Sequence, residues 1–200
     1  MTNAMDKVQE KHLLLMAIAP IGIVMNSGMG LLTQWLKLPI YLDAIGTLVA
    51  TVLTGIPGGI VTGIASSLFY GLFFNPVVPF YGGTQVAIAI FTGWMLKKRF
   101  LRTTPRIIFT GISLGVVSAI ASAPVVIAFS GVTGTCTDMT MALLLASGRS
   151  LFQSVFWANF ANEPFDKLIQ CLITLWIVRR LPLRCKKHFP NLVHLEYPKS

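Results

Sequence analysis

Residues 41–74 read YLDAIGTLVATVLTGIPGGIVTGIASSLFYGLFF, and how this stretch divides decides the topology. Asp43 is its only charged residue. A helix rises about 1.5 Å per residue, so a hydrocarbon core of about 30 Å needs about 20 apolar residues. The stretch is too long for one comfortable crossing. At its middle, Gly55-Ile56-Pro57-Gly58-Gly59 reads as a turn, because proline and glycine both interrupt regular structure. Divided there, the run becomes two short spans.

The basic residues favour the same division. They fall in three clusters: Lys7 and Lys11; Lys97, Lys98, Arg99, Arg102 and Arg106; and Arg179, Arg180, Arg184, Lys186, Lys187 and Lys199. Cytoplasmic loops carry the excess of Lys and Arg. With one span over 41–74 the second cluster lies opposite the first; with two spans all three clusters share a side.

Outward from that point, residues 13–36 form a first span, broken by Lys37-Leu38-Pro39 because proline disfavours helix at the residue before it. Residues 75–83 (NPVVPFYGG) form an outer loop, 84–96 a fourth span and 107–129 a fifth. Residues 130–138 (SGVTGTCTD) are an outer turn-rich segment and 139–147 a short helix. The last crossing covers 162–178, with 151–161 a helical approach to it. The expectation is an all-α integral membrane protein, a multi-pass six-transmembrane-helix bundle in the plasma membrane with N- and C-termini cytoplasmic. Residues 1–182 form the membrane domain and 183–200 a basic cytoplasmic tail. Of the 16 Lys and Arg, 13 then lie inside, leaving Lys37, Arg149 and Lys167.

Composition agrees. The 200 residues are 54% hydrophobic and 12% charged, with mean hydropathy +0.71. A soluble domain carries about 25% charged residues, enough to cover its surface; this chain does not. The formal charge of +9 does not point to nucleic acid, because the basic residues flank apolar runs and no aromatic-basic interleaving is present. Cys136, Cys171 and Cys185 have no zinc spacing, and the three histidines lie near the termini. No HExxH or GK[ST] motif occurs and no paired His and Asp lie within a span, so the chain reads as a non-enzyme needing no metal or cofactor. Small residues recur four apart at Gly59, Gly63, Ser67 and Gly71, and again from Gly111 to Ser122, where they let helix backbones approach.

Ionisable residues at membrane depth are costly and become functional candidates. Asp43, beside the start of the second span, is either a carboxylate favoured by the helix dipole or a ligand contact. In Asn162-Glu163-Pro164-Phe165-Asp166-Lys167, helix-start logic accounts for Asn162 as N-cap and Pro164 as first-turn proline. It leaves Lys167 unexplained, although Glu163 and Lys167 stand i,i+4 and can pair. In the segment 131–138, Asp138 is positioned to cap the following helix, and the hydroxyls suit a small polar molecule.

Residues 38–47 (LPIYLDAIGT), the 55–59 turn, the 131–138 segment and the 163–167 segment (EPFDK) together resemble substrate-binding S components of energy-coupling factor (ECF) transporters. The resemblance spans nearly the whole chain. It implies a helical bundle that captures a vitamin-like or nucleobase-like molecule from outside. It also implies partners, an ECF transmembrane coupling subunit with two ATPase subunits, and contact with membrane lipid. By region, the implied substrate-binding residues are Asp43, Asn75, Tyr81, Thr133, Thr135, Thr137, Asp138, Trp157, Glu163 and Lys167. On the first helix, where members dock the coupling subunit through alanines four apart, Ala17 is followed by Ile21 and Ala19 by Ile23, with Gly22 a substitute. A self-sufficient secondary transporter of a small polar or aromatic solute is one alternative, and a membrane sensor working through the tail is another.

Overall fold

Gly55 adopts φ +89°, a backbone conformation that a side chain resists, and one helix ends there as the next begins. The computed structural model describes residues 2–135 and 138–182, together with 186, 188, 189, 191, 192 and 195. Of residues 2–8 and 10–12 only the backbone is described. The order is α1 (Thr2–Trp35), α2 (Ile45–Thr54), α3 (Ile56–Phe73), a 3-10 turn (Val78–Tyr81), α4 (Gly82–Lys97), α5 (Thr104–Ala128), α6 (Asp138–Ala146) and α7 (Leu151–Arg180). Among the described residues there is no strand.

Three stretches are long and apolar enough to cross a bilayer: Leu13–Trp35 within α1, Ile56–Phe73 and Thr104–Ala128. This is a membrane protein. Its helices are built with the polar face inward. On α3, Gly59, Thr62, Gly63, Ser66 and Ser67 are buried while Val61, Leu68, Leu72 and Phe73 are exposed. On α7, Asn159, Glu163, Asp166, Lys167 and Gln170 are buried while Phe152, Phe165, Leu172 and Trp176 face out. Water would reverse both arrangements; lipid favours them.

The helix α2 has 10 residues, about 15 Å of rise, and is too short to cross a membrane alone. Nine of its residues are buried. It lies at the centre, packed by α1, α3, α4 and α7. Its Ile45, Val49, Val52 and Leu53 join Leu96, Leu101, Ile107, Leu175 and Val178 in the main apolar core.

The small-residue stripes serve this packing. A Cβ on Gly46 would overlap the backbone of Gly22, so α1 and α2 cross in direct backbone contact. Gly59 and Gly63 receive Thr51, Ala89 and Gln85. On α5, Gly111 sits on Leu168 and Gly115 on the backbone of Pro164, which brings α5 against α7 in the most extensive helix pair of the fold.

One expectation needs correction. The segments 151–161 and 162–178 form one continuous helix of 30 residues. It starts at a capping box, in which Ser150 Oγ accepts from Gln153 N at 3.4 Å and Gln153 Oε1 accepts from Ser150 N at 3.3 Å. Asn162 therefore caps nothing, and Pro164 lies within the helix where Gly115 leaves room for it. The tail packs on the bundle over its described residues. Phe189 and Leu192 are buried in the main core, and Asn191 Nδ2 donates to Leu53 O at 3.2 Å.

Candidate functional site

The α1–α2 connection is anchored from α7. Asp166 Oδ1 accepts from both Tyr41 N and Leu42 N at 3.0 Å, which holds Leu42 at φ +52°. Asp166 Oδ2 accepts from Lys167 Nζ and Gln170 Nε2, each at 2.6 Å. Gln170 Oε1 accepts in turn from Ala44 N at 3.1 Å. Asp166 is fully buried and all its bonds come from within the protein, so it is a structural hub and the fixed counter-ion of Lys167. The neighbouring acids are held more loosely. Lys167 Nζ is 3.4 Å from Glu163 Oε2 and 3.5 Å from Asp43 Oδ1.

A second polar network links four helices from Asn26, in mid-α1. Asn26 Nδ2 donates to Thr47 Oγ1 and Ser66 Oγ at 2.9 Å, and its Oδ1 accepts from Gly46 N at 2.6 Å. Thr47 Oγ1 donates to Gln85 Oε1 at 2.8 Å, and Gln85 Nε2 reaches Asp43 O at 3.4 Å.

Between these networks lies a cavity whose empty space, about 680 Å³, includes the open solvent at its mouth. Asp43, Glu163 and Lys167 supply its charged lining; Tyr41, Tyr70 and Tyr81 supply its rings. Ser27 and Thr84 line it with buried hydroxyls that have no hydrogen-bond partner.

The cavity sits toward one end of the bundle. It meets α4 near its start, α5 near its end and α7 at Glu163 and Lys167. The basic groups of the α4–α5 connection and of the α7 C-terminus lie at the other end, where Arg179 Nη2 donates to Arg102 O at 3.2 Å.

Over its described residues the 131–138 segment borders the cavity through Thr135. Asp138 accepts from Thr133 N, Thr133 Oγ1 and Gly134 N at 2.8–3.2 Å, with Gly134 at φ +67°. Asn75 Nδ2 donates to Thr133 O at 2.9 Å and Gln34 Nε2 to Gly134 O at 2.7 Å, tying the segment to two other elements. Burial raises the Tyr81 phenol above its ordinary value, the nearby acids add to this, and a hydrogen bond with Thr133 opposes it. Tyr81 thus stays protonated at neutral pH.

Comparison with family models, with curated proteins and with solved structures gives no match.

Of the residues implied by sequence, Asp43, Tyr81, Thr135, Glu163 and Lys167 line the cavity. Asn75 borders a smaller adjoining recess, and Thr133 and Asp138 shape the 131–138 segment from within. Trp157 is not brought to the cavity: it is exposed on α7, edge-on to Phe156, with Arg149 over its ring. Thr137 lies outside the described residues. On α1, Ala17 is exposed, but Ala19 and Gly22 are buried inside the bundle, so only Ala17 of the three is open to a partner. Sequence reasoning missed Asn26, Ser27, Tyr41, Thr84 and Gln85. The available signal was a lone amide, Asn26 or Gln85, inside an otherwise apolar helix.

Proposed function

We propose that this chain is the substrate-capture subunit, or S component, of an ATP-driven ECF-type importer for a vitamin-like or nucleobase-like micronutrient. It is non-catalytic and crosses the plasma membrane six times, through α1, the 38–44 connection together with α2, then α3, α4, α5 and α7, with both termini cytoplasmic. The observation that carries the reading is the polar cavity, opening at the end of a lipid-adapted bundle away from the basic clusters. Aromatic residues among those clusters support the membrane setting: Lys98 Nζ lies 4.0 Å from the Trp94 ring centroid, and Arg180 stands over Trp176 at 5.8 Å. Positive-inside bias then makes the cavity face outward.

The test has two arms. Small molecules released from the protein purified in detergent are identified by mass spectrometry, and a stoichiometric compound is expected. Uptake into proteoliposomes is then measured with and without a coupling subunit and ATPases, and transport is expected only with them. One observation favours a second reading. Buried acids paired with a lysine are also the equipment of a proton-coupled carrier. Uptake driven by a proton gradient in liposomes holding this chain alone would establish that carrier and defeat the importer reading.

A further inference from the structure

The charges of the cavity do not balance, and the imbalance has a sign. Three carboxylates, of Asp43, Glu163 and Asp166, surround one ammonium, that of Lys167, a formal sum of −2 when all are ionised. Lys167 makes its shortest contact, 2.6 Å, with Asp166, which is fully enclosed and does not line the cavity. The acids that do line it, Asp43 and Glu163, are left with contacts of 3.4–3.5 Å to the same ammonium. Among the described residues no Arg, His or second Lys lines the cavity.

Independent of the charges, two hydroxyls point to a missing occupant. Ser27 Oγ and Thr84 Oγ1 belong to residues only 5% and 6% exposed, and neither has a hydrogen-bond partner. Buried polar groups in native proteins are normally satisfied, so orphans that line a cavity mark places where a bound molecule completes the bonding. The π-faces of tyrosines attract cations, and the lining ring of Tyr41 already carries one, with Lys167 Nζ 5.7 Å from its centroid. A metal ion is poorly served: among the described residues no three acid, imidazole or thiol groups converge in a metal-holding set.

We propose that the cavity binds an organic cation, a small molecule carrying an amine or a protonated ring nitrogen, with its charge beside the carboxylates of Asp43 and Glu163 and its hydrogen-bonding edge toward Ser27 and Thr84. This rests on the capture reading above and narrows it to a substrate class. Asp43 forms the outer contact and Glu163 the inner one. An anion would meet two carboxylates across a confined space and be excluded.

The experiment uses the full chain in detergent. Compounds released on denaturation are identified and their charge at pH 7 is assigned. Binding is then titrated with ring-matched probes of opposite charge: pyridoxamine against 4-pyridoxate, and tryptamine against indole-3-acetate. A cationic released compound, or binding of the amine members only, supports the assignment. In that case Asp43→Asn should weaken amine binding roughly ten- to hundredfold, the range for losing a hydrogen bond to a charged group. Its ligand-free melting should stay near that of the parent, because the Asp43 side chain is 42% exposed. A released anion or neutral compound, preference for the carboxylate members, or unchanged amine affinity in Asp43→Asn overturns the cation assignment and leaves the capture reading standing. Release of nothing, with no probe bound at millimolar concentration, defeats both.

Discussion

Replacing Lys167 with methionine nearly preserves side-chain length and removes the one cation of the cavity lining among the described residues. The three acids respond differently. Asp166 keeps its bonds from Tyr41 N, Leu42 N and Gln170 Nε2. Asp43, at 42% side-chain exposure, gains water in place of the ammonium. Glu163 has no such recourse. It is 4% exposed, and its Oε2 accepts no hydrogen bond and faces Lys167 at 3.4 Å.

Breaking a buried ion pair by removing one partner costs roughly 3–5 kcal/mol, most of it the stranded charge. Asp166 stays largely satisfied, so the loss falls in the lower half of that range, about 3–4 kcal/mol. For a chain of this size 1 kcal/mol moves the melting temperature by about 2–4 °C, which gives a fall of about 6–16 °C. The assay is thermal unfolding in detergent followed by tryptophan fluorescence. The exposed Lys97→Met serves as control, expected within about 0.5 kcal/mol of the parent. Adding Glu163→Gln to Lys167→Met should restore about 1–3 kcal/mol, because the amide leaves no charge behind. Equal melting of Lys167→Met and Lys97→Met, or a double variant no better than Lys167→Met alone, would refute the reasoning.

Gly46→Ala should lower stability by about 1–3 kcal/mol through overlap with Gly22, whereas Gly28→Ala, with nothing within 4 Å of its Cβ, should gain up to about 1 kcal/mol from helix propensity; paired melting curves check both. Asn26→Leu should cost about 1–3 kcal/mol for each buried group it strands, the Gly46 N–H first, and amide exchange at Gly46 should quicken. A chain ending at residue 182 should melt lower, because it loses the buried Phe189 and Leu192 at about 1.5–3 kcal/mol each. Unchanged melting would return the tail to the role of a free extension.

The helices were legible because each has a local cause. The break falls at Gly55 alone, with Pro57 already in the first turn of α3, and the starts of α4, α5 and α6 follow from proline and polar punctuation. Continuity through Pro164 was not legible, since it depends on Gly115 some 50 positions away in sequence. Asn162 looked like a cap because it precedes an acid and a proline, yet the capping box at Ser150 starts the helix earlier. Likewise Gly22 reads as an exposed docking residue by its spacing alone. Only the crossing with Gly46 shows that its small size is used inside the chain.

The site divides along the same line. Glu163 and Lys167 stand out because a charge inside an apolar helix has no cheap explanation. The sequence pairs them with each other at i,i+4, and the structure keeps that pair at 3.4 Å, but the tighter partner of Lys167 is its chain neighbour Asp166 at 2.6 Å. That difference changes the chemistry of the site. A lysine paired with Glu163 alone would leave Asp43 as the one unpaired acid of the lining. A lysine held by Asp166, which is itself fixed by the backbone of residues 41 and 42, leaves Asp43 and Glu163 in excess. The amides and hydroxyls around them, Asn26, Ser27, Thr84 and Gln85, sit singly in apolar runs on separate helices and look dispensable one at a time. Glycine-mediated contact of α1, α2, α3 and α4 is what brings them to one cavity. The ligand preference is thus a property of helix packing, and substitutions at Gly22, Gly46 or Gly63 should alter binding without touching the ligand.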